Sequence, residues 1–196
     1  MKDQSIRCAW ASEEDAVMCE YHDTQWGVPT DSDTLLFELL ILEGAQAGLS
    51  WRTVLGKREA YRQAFDNFDP HKIAKYDKQK IAQLMSNKNI IRNARKINSA
   101  ITNAQAFLNI QEGYGSFSDY LWSFVGGSPI YNTWQSAEEV PAQTELSQRI
   151  SKDLKKHGFS FVGPTIMYSY MQAVGMVHDH TTDCFRYRKL RNRDNL

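Results

Sequence analysis

Apolar residues recur at three- and four-residue intervals along most of the chain. No stretch alternates apolar and polar positions long enough to make a half-buried strand, so the pattern predicts an all-α fold. Leu35, Leu36, Leu39 and Leu40 form the first strong stripe, and Thr30 with Asp33 is expected to close a capping box ahead of it. Ser50 is expected to open a helix that runs through Val54 and Leu55 to Phe65, and Asp69-Pro70 and Asp77 mark the starts of two short ones. The most regular stripe is Ile90, Ala94, Ile97, Ile101, Ala104 and Leu108. Only Ser86, Asn87, Lys88 and Asn89 separate it from the preceding helix, which ends near Leu84 and Met85, so the two must turn back on each other as a helix-hairpin-helix. Gly126 to Gln143 reads as a long loop, Leu146, Ile150 and Leu154 as a helix stopped at Gly158, and Pro164 as the start of a last apolar helix to about Val177. The basic stretch from Arg186 to Arg193 is expected to be mobile.

With 196 residues, 42% of them apolar, the chain can bury the core of one domain or of two joined lobes. Lys plus Arg equal Asp plus Glu at 23 each, so any site for a polyanion has to be local. Residues 1–10 lack the basic segment and apolar run of a signal peptide, and no apolar run approaches membrane-spanning length, so a soluble, cytoplasmic protein is expected. The three cysteines, Cys8, Cys19 and Cys184, are too few for a disulfide framework and are expected to be free or metal-bound.

Glu43 falls seven residues after Leu36, four after Leu39 and three after Leu40, which puts a carboxylate on an apolar helix face. Either the helix frays near Gly44 and Glu43 reaches water, or the carboxylate faces a closed pocket. Trp10, Tyr21, Trp26 and Trp51 lie in the same part of the chain. They suit a core, and beside a carboxylate they also suit a flat cationic ligand. Lys88, Arg92, Arg95 and Lys96 surround the hairpin with no acid among them, as either a solvated face or a contact to a DNA backbone. Backbone N–H groups at the start of the following helix are available there for a phosphate. Cys8 and His22 near one end and His180 and Cys184 near the other form a donor set suited to tetrahedral zinc, with His178 as an alternative to His180. Asp179 and Asp183 are the nearby carboxylates able to orient a histidine ligand.

Blocks of sequence spread over the whole chain identify a resemblance. They run from Arg7-Cys8-Ala9-Trp10, Tyr21-His22-Asp23 and Gln25-Trp26-Gly27-Val28-Pro29 to Leu42-Glu43-Gly44 and Gln46-Ala47-Gly48-Leu49-Ser50-Trp51. They continue through Ile90-Ile91-Arg92, Trp122-Ser123-Phe124, Phe161-Val162-Gly163, Tyr168-Ser169 and Met171-Gln172-Ala173 to Asp179-His180 and Cys184. In these the chain resembles the bacterial 3-methyladenine DNA glycosylase I family. The resemblance implies a helix-hairpin-helix glycosylase fold, with a hairpin lobe at about 35–125 and a terminal lobe from about 1–30 and 140–185. It implies one structural zinc ion on Cys8, His22, His180 and Cys184, a base pocket lined by Glu43, Tyr21, Trp51 and Trp10, and Gly48 and Leu49 entering the gap left by the flipped base. Lys88, Asn89 and Arg92 would meet the DNA backbone. Asn89 stands where the family commonly has glycine, and Asn tolerates a left-handed turn better than other side chains. The implied activity is that of a monomeric, monofunctional glycosylase. It would take duplex DNA containing alkylated adenine and release 3-methyladenine. Between Ile97 and Gly115 Glu112 is the only acid, so no aspartate of the kind many helix-hairpin-helix glycosylases use is present there. The competing reading is a zinc-stabilised protein that binds alkylated or distorted DNA without cutting it, and a zinc hydrolase would need an open metal position.

Overall fold

The computed structural model describes residues 6–191. Helix α1 (Ala16–Thr24) leads to α2 (Asp33–Gln46), which is buried at every position from Leu36 to Ala45. Apart from Glu38 and Glu43 this buried stretch is apolar all round, as a helix enclosed by others must be. Helices α3 (Trp51–Leu55), α7 (Ala94–Tyr114), α8 (Phe117–Ser123) and α10 (Pro164–Ala173) enclose it. Its cap is Ser32 and not Thr30: Ser32 Oγ accepts from Leu35 N at 3.4 Å, and the expected capping box does not form. Asp33 turns elsewhere and accepts from Phe117 N at 2.9 Å, Ser118 N at 2.8 Å and Gln111 Nε2 at 2.6 Å, so it holds the first N–H groups of α8, which Ser116 caps, and ties that helix to α2.

The helix expected from Ser50 to Phe65 is two, α3 and α4 (Arg58–Ala64), parted at Gly56-Lys57. The break lets Arg58 turn inward to Glu38, with Nε 2.6 Å from Oε1, while Arg62 closes on the same carboxylate. Asp69 and Asp77 do cap α5 (Pro70–Ile73) and α6 (Lys78–Ser86), and both helices pack on α7. Helix α7 starts later than its stripe suggested. Ile90 is buried from the bend that follows the 88–89 turn, and Asn93 caps the helix by accepting from Arg95 N at 3.0 Å and Lys96 N at 3.3 Å. The hairpin connection is therefore Asn87 to Asn93, longer than the four-residue turn expected.

Helix α9 (Glu145–Lys156) packs on α10, which stops at Ala173 and not at Val177. Gly175 makes that stop: its φ is +77° and a Cβ there would lie 2.3 Å from Pro29 N, so the chain closes against the 28–29 backbone only without a side chain. Beyond it, strand β2 (Val177–His178) pairs in parallel with strand β1 (Ile130–Tyr131), a two-residue departure from the all-helical pattern, too short to show alternation in sequence. The basic stretch expected to be mobile is helix α11 (Phe185–Arg191), with Arg186 and Leu190 buried; its remainder lies outside the described residues. The main core runs through α2, α7, α8 and α10, and a second cluster of Cys8, Tyr21, Trp26, Leu55 and Cys184 lies beside it with Trp10 and Trp51 packed against it. Among the described residues no helix is long and apolar enough to cross a membrane.

Candidate active site and metal centre

Cys8, His22, His180 and Cys184 converge from the two ends of the chain, all buried, with ligand atoms within 4.8 Å of one another. Cys8 Sγ and Cys184 Sγ each lie 3.5 Å from His180 Nδ1, and Cys184 Sγ lies 3.4 Å from His22 Nε2. Tetrahedral bonds of about 2.3 Å to sulfur and about 2.0 Å to nitrogen imply S···N edges of about 3.5 Å, so the four donors fit one ion. The outer ring nitrogens are occupied. His22 Nδ1 is 2.8 Å from Asp23 Oδ1, and His180 Nε2 is 3.2 Å from the Trp26 carbonyl, which turns the other nitrogen of each ring toward the sulfurs, His22 Nε2 also accepting from Cys8 N at 3.3 Å. Arg7 grips Asp23 through Nε and Nη2 at 2.7–3.0 Å and fixes the orienting carboxylate. Two thiols this close cannot both ionise unaided: their mutual contact holds the Cys184 thiol down and pushes Cys8 up, and a dication removes that conflict.

The alternative ligand His178 stays outside the cluster. It packs between the Tyr131 and Tyr187 rings, and burial pushes its pKa down to about 4. Asp179 orients no histidine. Its carboxylate accepts instead from Asn132, Trp134, Tyr168 and Gln172 at 2.6–2.8 Å, binding α10 to the 132–134 segment.

Against the metal cluster lies a cavity of about 390 Å³. Tyr21, Trp10 and Trp51 line it with Glu43, and the 137–142 part of the long loop supplies another wall. Glu43 is 3% exposed, and its Oε2 has no hydrogen-bond partner. Burial alone raises its pKa from 4.5 to about 8. Trp51 Nε1, a donor only, is likewise buried without a partner. The Tyr21 and Trp51 rings are 5.5 Å apart, and burial with the nearby Glu43 carboxylate keeps the Tyr21 phenol protonated. An unpartnered acceptor, an unpartnered donor and aromatic walls make a cavity that is completed by a flat polar molecule, and best by a cationic one.

Beside the cavity α2 ends at Gln46 with Ala47 as its C-cap, Gly48 turns with φ +76°, and Leu49 stands 41% exposed. Across from it Lys88, Asn89, Arg92 and Arg95 are exposed in and after the hairpin connection. Asn89 is not left-handed; its N–H donates to Asn87 Oδ1 at 2.9 Å, and Lys57 Nζ reaches its carbonyl at 3.3 Å. The N–H groups of Arg95 and Lys96 are taken by Asn93 and are not free for a phosphate.

Residues 10–187 match the family described as methyladenine glycosylase. The chain is 47% identical over 180 residues to the DNA-3-methyladenine glycosylase of Haemophilus influenzae, covering 92% of this chain and 97% of that one. It is 46% identical to DNA-3-methyladenine glycosylase 1 of Escherichia coli K12, covering 92% and 96%. The chain belongs to the methyladenine glycosylase family. A crystal structure of 3-methyladenine DNA glycosylase I superposes with a TM-score of 0.89 at 48% identity over 92% of this chain and 98% of that one. The Staphylococcus aureus 3-methyladenine DNA glycosylase I, studied for its recognition of 3-methyladenine, superposes at 0.88 with 40% identity over 91% and 95%.

In this methyladenine glycosylase the four metal-ligand candidates meet, and Glu43, Tyr21, Trp51 and Trp10 share one cavity, as their sequence blocks implied. Sequence reasoning missed Asp23 and Arg7 as the support of His22, although Asp23 directly follows the ligand. It also missed the wall built by Ala137, Val140, Pro141 and Ala142, whose polar, Gly- and Pro-containing surroundings read only as a connection.

Proposed function

We propose that this chain excises 3-methyladenine from alkylated DNA by flipping the nucleotide into the cavity and hydrolysing its N-glycosidic bond. The unpartnered Glu43 carboxyl beside the Tyr21 and Trp51 rings is the observation that carries this reading. Adenine methylated at N3 is cationic within DNA and a good leaving group, so the chain has to supply recognition more than activation. Glu43 ionises as the cation enters and accepts hydrogen bonds from its edge, Trp51 Nε1 is a donor for a ring nitrogen, and Tyr21, Trp51 and Trp10 flank the ring. Water adds to the sugar carbon as the C–N bond breaks, the bonding electrons leave with the neutral base, and the water proton is released, which leaves an abasic site. Gly48 and Leu49 fill the vacated stack, while Lys88, Asn89 and Arg92 lie where a DNA backbone would pass; the exposure of all five supports these roles.

Cys8, His22, His180 and Cys184 would hold a zinc ion, since two thiolates and two imidazoles at tetrahedral spacing suit that metal. With four protein ligands it would tie the terminal lobe (about 1–30 and 140–185) together and leave the chemistry to the hairpin lobe (about 35–125) and the cavity between them.

Chromatography of free bases after incubation with methylated duplex DNA tests the reading. Wild-type protein should release 3-methyladenine, and a folded Glu43→Gln variant should do so at least about tenfold more slowly, as loss of a charged hydrogen-bonding partner predicts. Binding of the DNA by metal-loaded wild-type protein without any release would sink the enzyme reading in favour of a damage-binding protein.

A further inference from the structure

The end of α2 is where the parts of this site join. It carries Glu43 into the cavity, leaves the helix at Ala47, turns through Gly48 and presents Leu49 to solvent. A helix C-terminus exposes carbonyls and carries partial negative charge, yet α2 has no basic residue in its last turn. The cation comes from another element. Lys96 Nζ donates to Ala45 O and Ala47 O, both at 2.7 Å. Its stem crosses from the first turn of α7, where the Asn93 side chain caps the Lys96 N–H at the close of the hairpin connection. Lys96 is half-buried, and among the described residues no carboxylate pairs with it.

The turn has two backbone hydrogen bonds of its own and open space on its outer side. Ala47 N reaches Gly44 O at 3.4 Å, Leu49 N reaches Gln46 O at 2.6 Å, and nothing lies within 4 Å of where a Gly48 Cβ would stand. Lys96 therefore provides a direct polar tie between the first turn after the hairpin and the turn bearing Leu49.

We infer that Lys96 is a positioning residue, a strut that sets the Gly48–Leu49 turn relative to the hairpin so that gripping the DNA backbone brings Leu49 to the vacated stack. The inference rests on the proposed base-flipping function. It differs from the sequence expectation that Lys96 belongs to the basic surface around the hairpin, because its ammonium is spent on protein carbonyls. With the strut removed, the turn has to be ordered anew at each insertion, which slows insertion without altering the base pocket or the phosphate contacts.

The experiment compares wild type, Lys96→Met, which keeps the apolar stem, and Lys96→Arg, which keeps the charge. The full chain is mixed at saturating concentration with a duplex carrying an abasic-site analogue opposite 2-aminopurine, whose fluorescence reports insertion and needs no catalysis. Insertion by Lys96→Met should be about tenfold slower, as should single-turnover release of 3-methyladenine, with most of both regained in Lys96→Arg. Its affinity for free 3-methyladenine, read from tryptophan fluorescence, and for undamaged duplex should stay within about twofold of wild type. Wild-type insertion kinetics in Lys96→Met would overturn the inference. So would a lost duplex affinity with a salt slope shallower by about one, the mark of a phosphate contact. A parallel loss of free-base binding, the mark of a merely structural role, would also overturn it. Failure of the glycosylase reading is separate: wild-type protein would then release no base, while the insertion signal would still report on Lys96.

Discussion

At the residue scale, Glu43 shows how a site is prepared at the expense of the fold. Its carboxyl is buried at the end of a buried helix, with an oxygen left unpartnered and its pKa raised from 4.5 to about 8. A carboxyl whose pKa rises on folding contributes stability that is fully present below the unfolded value and is lost as pH climbs through the folded one. The empty protein should therefore weaken between about pH 4.5 and pH 8, the two values that bracket the shift. Because Gln does not titrate, thermal unfolding of Glu43→Gln and wild type should coincide near about pH 4 and diverge in favour of the variant by about 5 °C or more at about pH 9. Coincident curves across the whole range would place the carboxyl in water. The same group gains a partner when a cationic base enters, so the variant that is more stable is also the one that should lose activity.

At the element scale, local signals identified most helices, while several boundaries were set by contacts made far away in sequence. Asp33 looked like half of a capping box and instead accepts from the first N–H groups of α8, which lies more than eighty residues further on. Ser32 caps α2 in its place. Ser32→Ala should accordingly cost about 1 kcal/mol, the usual loss for an N-cap. Asp33→Ala, which strips two backbone N–H groups and Gln111 of their acceptor, should cost about 2–3 kcal/mol. Urea unfolding of both variants reads the difference, and equal losses would mean that Asp33 does no more than a cap. The split of α3 from α4 follows the same logic, since the break frees Arg58 to meet Glu38 in the interior. In α7 the apolar stripe was real but its first member, Ile90, is buried from a bend ahead of the helix, because burial marks a facing side and not a backbone conformation.

At the scale of the molecule, the metal cluster fastens the two ends of the described chain to each other. His22 belongs to α1 and Cys184 directly precedes α11, so one ion there closes a loop spanning nearly the whole chain. Removing it leaves two buried thiols competing for one proton beside two buried imidazoles. Metal analysis should find one ion per chain, and chelation should lower the unfolding temperature by about 10 °C or more, with recovery on adding zinc. Unfolding at an unchanged temperature after complete metal loss would show that α11 and the second apolar cluster hold the ends without help.

The sequence by itself determined the helical architecture, the hairpin and the identity of the chemical groups. Periodicity, caps and the blocks around Cys8, Glu43, Trp51 and His180 are local, and each can be read within a few residues. Only the tertiary structure decided which of His178 and His180 meets the thiols, that Asp23 and not Asp179 steadies a ligand, and that Lys96 faces carbonyls rather than solvent. Only it could make a cavity wall of the 137–142 loop or a helix of the basic stretch after Cys184. The physical reason is common to all of these: a polar side chain takes its partner from whatever the packing of distant elements brings within about 3 Å, and that proximity leaves no mark in its own neighbourhood of the sequence.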